Sequence, residues 1–196
     1  MSHTSHLVLY LIIAVIVISG YLQFENFSNE ITLCKASTDG KDYLVRNLPD
    51  REEAANLLAD TKYRCVKVVK YLAVKYPNNA SVKRLHMKYN PDNISESTKN
   101  SKYTSYSVNK GEKIVFCLRS RDENENLVDQ NVLMFVALHE LAHVMTKSIG
   151  HTKEFWDNFR FLLKESIKAG VYKKQDFRRN PVKYCGTDIT DSPLYD

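Results

Sequence analysis

Val132-Leu133-Met134-Phe135-Val136-Ala137-Leu138-His139-Glu140-Leu141-Ala142-His143-Val144-Met145 decides how this 196-residue chain is read. Apolar residues fill almost every position, so the run predicts a helix that is hydrophobic nearly all round and therefore central to the fold. Three of its side chains do not belong in a dry interior without partners: His139, Glu140 and His143. Residues four apart on a helix stand one above the other on the same face, so the imidazoles of His139 and His143 converge on one point and can share a metal ion. Glu140 is rotated by about 100° from His139, which sets its carboxylate beside the metal rather than on it, where it serves as a general base. The HExxH spacing and its residue types therefore point to zinc (Zn2+) and to metal-assisted hydrolysis. The plainer alternative is a pair of satisfied core histidines.

A hydrolytic zinc site keeps one position open and needs a third protein ligand. His151 is the first candidate. Ile149-Gly150 predicts a helix stop near Ser148, with a glycine free to take the left-handed conformation, and the turn back carries His151 towards the metal. The extended pattern HExxHxxGxxH would require glycine and histidine where the chain has Thr146 and Ile149, which excludes that arrangement. A carboxylate on the next helix, Glu154 or Glu165, is the alternative.

Gly150-His151-Thr152-Lys153-Glu154-Phe155-Trp156, following HELAH, resembles the "HELAH … GHTxEFW" signature of the SprT, WLM and DUF45 group of compact zinc metallopeptidases. The longer stretch from Tyr103 to Leu194 is similar to WLM-like metallopeptidases of large nucleocytoplasmic DNA viruses. It includes Tyr103-Thr104-Ser105-Tyr106-Ser107-Val108-Asn109-Lys110-Gly111-Glu112-Lys113 and Asn180-Pro181-Val182-Lys183-Tyr184-Cys185-Gly186. The resemblance implies a peptidase fold, His151 as third ligand, and a strand upstream of the zinc helix that forms the cleft edge and pairs with an extended substrate. Tyr103, Tyr106 and Tyr184 are read as packing residues rather than oxyanion donors.

Outward from the motif, Tyr103 to Val108 and Lys113 to Leu118 predict a β-hairpin around Asn109-Lys110-Gly111. The charged stretch Arg119 to Asp129 reads as a surface loop whose end, Asp129 or Gln130, caps the zinc helix. Thr152 caps the following helix, whose residues Phe155, Trp156, Phe159, Leu162, Leu163 and Ile167 should pack on the zinc helix and hold His151, with a stop at Gly170. Upstream, Leu48-Pro49-Asp50 opens a helix with Asp50 as cap and Glu53 completing a capping box. Its stripe of Ala54, Leu57, Leu58, Cys65, Val68, Val69 and Leu72 is ordinary core, and Pro77 ends it.

Leu7 to Ile18 is wholly apolar and the span extends to Phe24, near the lower limit of about 17 to 25 residues for a transmembrane helix. Met1-Ser2-His3-Thr4-Ser5-His6 lacks Lys and Arg and no A-x-A site follows, which favours an uncleaved anchor over a signal peptide. The expected organisation is an anchor over 1–24, a tether over 25–40 and a catalytic domain over 41–196. Lys35, Lys41 and Arg46 after the span place that domain in the cytoplasm by the positive-inside rule. Cys34, Cys65, Cys117 and Cys185 form no CxxC pair and are read as free, partly buried thiols.

The net charge is +5, and Lys164, Lys168, Lys173, Lys174, Arg178, Arg179 and Lys183 cluster near the C-terminus. A solvated basic face is preferred there to a nucleic-acid interface, although relatives of the SprT and WLM kind act on DNA-attached proteins. The expected fold is therefore α+β: a compact zincin-like domain with a central HExxH helix and a small antiparallel sheet behind an N-terminal membrane-anchor helix. Its expected role is a zinc-dependent endopeptidase acting on a protein or peptide substrate. The alternatives are a non-catalytic zinc-containing membrane or virion structural protein and a DNA-associated protease.

Overall fold

The computed structural model describes residues 3–195, so Met1 and Ser2 of the N-terminal flank lie outside the described residues. Helix α1 (His3–Glu30) carries the apolar run. Its Val8–Glu25 segment is long and apolar enough to cross a membrane and is nowhere buried by the rest of the chain.

Strand β1 (Ile31–Lys35) starts at the very next residue and pairs antiparallel with β2 (Asp42–Arg46), Ile31 facing Arg46 and Lys35 facing Asp42. This corrects the tether expected over 25–40. Ile31-Thr32-Leu33 carries strand-forming side chains, and the polar residues that suggested a tether form the hairpin turn, where Gly40 takes φ +70. The sheet therefore begins ten residues before Lys41, at Ile31.

Helix α2 (Arg51–Lys75) buries Ala54, Leu58, Cys65, Val68 and Leu72 as the stripe predicts. Asp50 stands at its N-terminus without making a side-chain cap bond; its carboxylate instead accepts from Arg119 Nη1 at 2.6 Å. Helix α3 (Ala80–Lys88), unanticipated after Pro77, is capped by Asn79, which accepts from the Ser81 and Val82 amides.

Three strands follow: β3 (Ile94–Glu96), β4 (Ser105–Val108) and β5 (Lys113–Phe116). The five-stranded sheet runs in the order β1-β2-β3-β5-β4. It is mixed rather than antiparallel, because β2 pairs parallel with β3 and β3 parallel with β5. Helices α2 and α3 connect β2 to β3, and a helical crossover returns a strand in the same direction. The β4–β5 hairpin itself is antiparallel, as its turn sequence predicts.

Helix α4 (Gln130–Met145) holds the HExxH residues, and Asp129 caps it by accepting from the Asn131 and Val132 amides. Twelve of its sixteen residues are buried, and it packs on α2, α3, β4 and helix α5 (Lys153–Lys168). The chain closes with the hairpin of β6 (Val182–Tyr184) and β7 (Thr187–Ile189) and one 3-10 turn, Pro193–Tyr195. A disulfide between Cys117 and Cys185 ties this hairpin to the end of β5. Only Cys34 and Cys65 are free, which corrects the reading of four free thiols.

Glu165, the rival ligand on α5, is buried and remote from the three histidines. Its carboxylate accepts from Lys75 at 2.8 Å, Lys168 at 2.6 Å and the Tyr71 hydroxyl at 3.2 Å. Burial opposes its ionisation, but hydrogen bonds from the two ammonium groups outweigh that and hold it near 2. The folded value lies below the ordinary one, so this stabilisation is complete above about pH 4.5 and disappears as pH falls towards 2. Because both lysines are partly exposed and screened by water, Glu165→Gln is expected to cost about 1–2 kcal/mol at pH 7. Urea unfolding at pH 7 and pH 3 checks this, and the gap from wild type should narrow at the lower pH.

Candidate metal centre

His139 and His143 leave the same face of α4 one turn apart, as their spacing demands. The helix ends at Met145, three residues before the stop expected near Ser148. Thr146 terminates it, with its amide and its hydroxyl both donating to Ala142 O at 3.0 and 2.7 Å. Gly150 does adopt the left-handed conformation, φ +81, but inside the following turn rather than at the helix end. That turn brings His151 back over α4. Thr152 then caps α5 by accepting from the Phe155 amide.

The Nε2 atoms of His139, His143 and His151 form a triangle with all three sides at 3.2 Å. Three nitrogens bound to one tetrahedral zinc at about 2.0–2.1 Å would lie about 3.3 Å from one another. The donor set therefore fits zinc in number, type and spacing, and it is the only such ligand group among the described residues. Burial and the neighbouring imidazoles push His139 down to about 3 and His143 down to about 4. Both rings are thus neutral, the form that binds metal.

Phe155 packs against all three imidazoles, its ring centroid 4.9 Å from His139, 4.3 Å from His143 and 4.6 Å from His151. Phe159 lies 5.3 Å from His139 and Trp156 lies 5.6 Å from His151. The aromatic face of α5 thus backs the triad, as its sequence pattern predicts.

Glu140 lies on α4 next to the first histidine and is 4% exposed. Burial pushes its carboxyl up to about 7, so it exchanges a proton readily near neutral pH. The triad and Glu140 open onto a cleft of about 660 Å³ whose opposite wall is β4, with Tyr184, Thr187 and Ile189 of the C-terminal hairpin at one side. Strand β4 pairs with β5 on one side and is the edge of the sheet on the other, an edge of the kind that can pair with an extended chain.

The remaining sequence candidates make other contacts, although Tyr106 and Tyr184 also line the cleft. Glu154 accepts from the Lys147 and Ser148 amides at 3.0 and 3.2 Å and so braces the turn before His151. Tyr184 donates to Cys117 O at 2.8 Å and shares a hydrogen bond with Ser105 Oγ. Tyr103 is exposed, and its ring lies tilted beside that of Tyr106 with centroids 5.7 Å apart. Within the basic cluster, Lys168 pairs with Glu165, Arg178 with Asp191 and Arg179 with Asp176. These pairs account for three of the seven basic residues. Lys110, which lines the cleft and reaches the turn carrying His151, was read from sequence only as a hairpin residue; a lysine in a turn gives no signal of what its ammonium will touch.

The WLM domain model matches residues 81–193. The chain is 35% identical over 188 residues to an uncharacterized protein of Acanthamoeba polyphaga mimivirus, covering 94% of each. It is 36% identical over 83 residues to an uncharacterized protein of Invertebrate iridescent virus 6, covering 41% of this chain and 44% of that one. The crystal structure of Wss1 from Saccharomyces cerevisiae is similar at a TM-score of 0.48 and 22% identity, over 64% of this chain and 87% of that one. The chain belongs to the WLM domain family, with relatives in large DNA viruses.

The triangle of nitrogens separates the candidate third ligands. Elemental analysis of the purified full-length chain is expected to give one zinc per chain. His151→Ala should lose most of it and Glu165→Ala should keep it, whereas the reverse pattern would move the third ligand to α5.

Proposed function

We propose that the protein is a zinc-dependent endopeptidase with His139, His143 and His151 as metal ligands and Glu140 as general base. The observation that carries this reading is the equilateral triangle of imidazole nitrogens beside a buried carboxylate in an open cleft. When bound, zinc supplies acidification of a water molecule and polarisation of the scissile carbonyl.

The rest of the chemistry falls to the chain. Backbone groups of β4 hold an extended segment of the substrate, a protein or peptide, along the cleft. Glu140 takes a proton from the attacking water and passes it to the departing amine, so the carboxyl returns to its starting state in each cycle. Its raised affinity for a proton suits both halves of that transfer. Phe155, Phe159 and Trp156 fix the imidazole rings and keep bulk water from their rear faces.

A structural zinc site closes its fourth position with another protein ligand. The open cleft therefore favours a catalyst over the non-catalytic structural alternative. Helix α1 is taken as a membrane anchor on its length, apolarity and exposure. The Cys117–Cys185 disulfide suits an oxidising compartment, which weighs against the cytoplasmic orientation read from Lys35, Lys41 and Arg46.

Glu140→Gln tests the mechanism because the amide has nearly the same shape and cannot accept the proton. Zinc content should match wild type while cleavage of an unfolded protein substrate, followed by gel or mass spectrometry, falls by at least about 100-fold. Cleavage at the wild-type rate in a zinc-loaded variant would sink the assignment of the base.

A further inference from the structure

The third histidine is the weak point of the triad. His139 and His143 are placed by a buried helix, but His151 is exposed and lies beyond a non-helical turn. Ordering backbone costs conformational entropy, so a ligand on a loose loop would lose much of its affinity to that cost. The turn is held from two sides.

On one side, Lys110 Nζ donates to three successive carbonyls: Thr146 O at 2.9 Å, Lys147 O at 2.7 Å and Ser148 O at 2.7 Å. An ammonium has three donors, and these contacts use them all. On the other side, Glu154 accepts from the Lys147 and Ser148 amides and from the Ser148 hydroxyl, the last at 3.0 Å. Arg84 Nη1 donates to Met145 O at 2.6 Å, where α4 ends. Charged groups of opposite sign thus meet the carbonyls and the amides of one short segment, and such charge-assisted bonds are stronger than neutral ones.

Lys110 is itself firmly mounted. It sits in the β4–β5 turn with φ +53, between Asn109 at +46 and Gly111 at +108. A Cβ on Gly111 would lie 2.8 Å from Val144 Cγ1 and 2.9 Å from Lys88 O, so glycine lets the turn press onto the last turn of α4. The Asn90 amide donates to Gly111 O at 2.9 Å and closes the contact.

We infer that Lys110 and Glu154 are positioning residues that preset His151 for metal binding by clamping the 146–148 turn. The inference rests on the zinc reading above. Charge alone predicts the opposite sign: Lys110 lines the same cleft as the three histidines, and a positive charge there repels a cation. Removing it should tighten zinc by Coulomb's law, whereas loss of the clamp should weaken it.

The test is zinc affinity of the full-length chain in detergent, measured by competition with a chromophoric chelator. Lys110→Met is expected to weaken zinc roughly 10- to 100-fold, the range for residues that orient metal ligands. In a His151→Ala background the same substitution should change affinity by less than about 2-fold, because a clamp acting through His151 has nothing left to position. Glu165→Gln, a destabilised variant remote from the turn, should bind zinc like wild type. If Lys110→Met does not fold, Glu154→Gln takes its place; there charge and clamp both predict weaker zinc, so the His151→Ala background decides, and a loss confined to the chain that keeps His151 is expected.

Unchanged or tighter zinc in the single variant would overturn the clamp, as would an equal loss with and without His151. A wild-type chain that takes up no zinc would remove the peptidase reading itself and the clamp with it, an outcome distinct from a zinc-loaded variant of normal affinity.

Discussion

Three imidazole nitrogens must meet at one point, and two of them come from a helix that has no other reason to carry polar groups. That requirement organises the domain. Helix α4 has to be rigid to hold His139 and His143 in register, so it is buried by α2, α3, α5 and β4 around almost its whole circumference. Burial keeps the two rings neutral and raises Glu140, which a solvent-exposed helix would do for neither. The third nitrogen arrives from outside the helix, and the aromatic face of α5 together with the 146–148 turn brings it to the others.

The parts legible in the sequence were those fixed by local chemistry. The spacing of His139 and His143, the apolar run around them, the cap at Thr152 and the Asn109-Lys110-Gly111 hairpin each follow from a few adjacent residues. What could not be read depends on partners far along the chain. Asp50 has the composition of a helix cap, yet Arg119, sixty-nine positions away, takes its carboxylate. Cys117 and Cys185 stand sixty-eight apart with no motif to link them. The parallel pairing of β2 with β3 arises from the intervening helices, one of which hides behind Pro77 with only Asn79 to announce it. Glu165 had a plausible distance from His143, and only the fold shows its carboxylate engaged by Lys75 and Lys168.

Charge is buried in a second place, away from the cleft. Glu96, at the end of β3, accepts from the Arg46 amide at 2.7 Å and from Arg119 Nε at 2.9 Å, and Arg46 in turn reaches Glu125 at 2.8 Å. Burial pushes the Glu96 carboxyl above the usual range in spite of these partners. Such a network contributes little net stability over an apolar core, but removing one member strands the others and costs about 3–5 kcal/mol. It joins β2, β3, the start of α2 and the loop after β5. The acidic and basic residues of the 119–125 stretch, which looked like plain surface loop, thereby fasten the sheet beside the disulfide.

Helix α1 runs into β1 without an intervening residue. A linker would let the domain drift and tumble relative to whatever holds the helix; a direct junction leaves it no slack. The height and tilt of α1 are therefore handed to the sheet edge, and through the sheet to β4 on the far side. In the membrane-anchor reading proposed above, the cleft is held at a set distance from its mounting and meets only what stands at that distance.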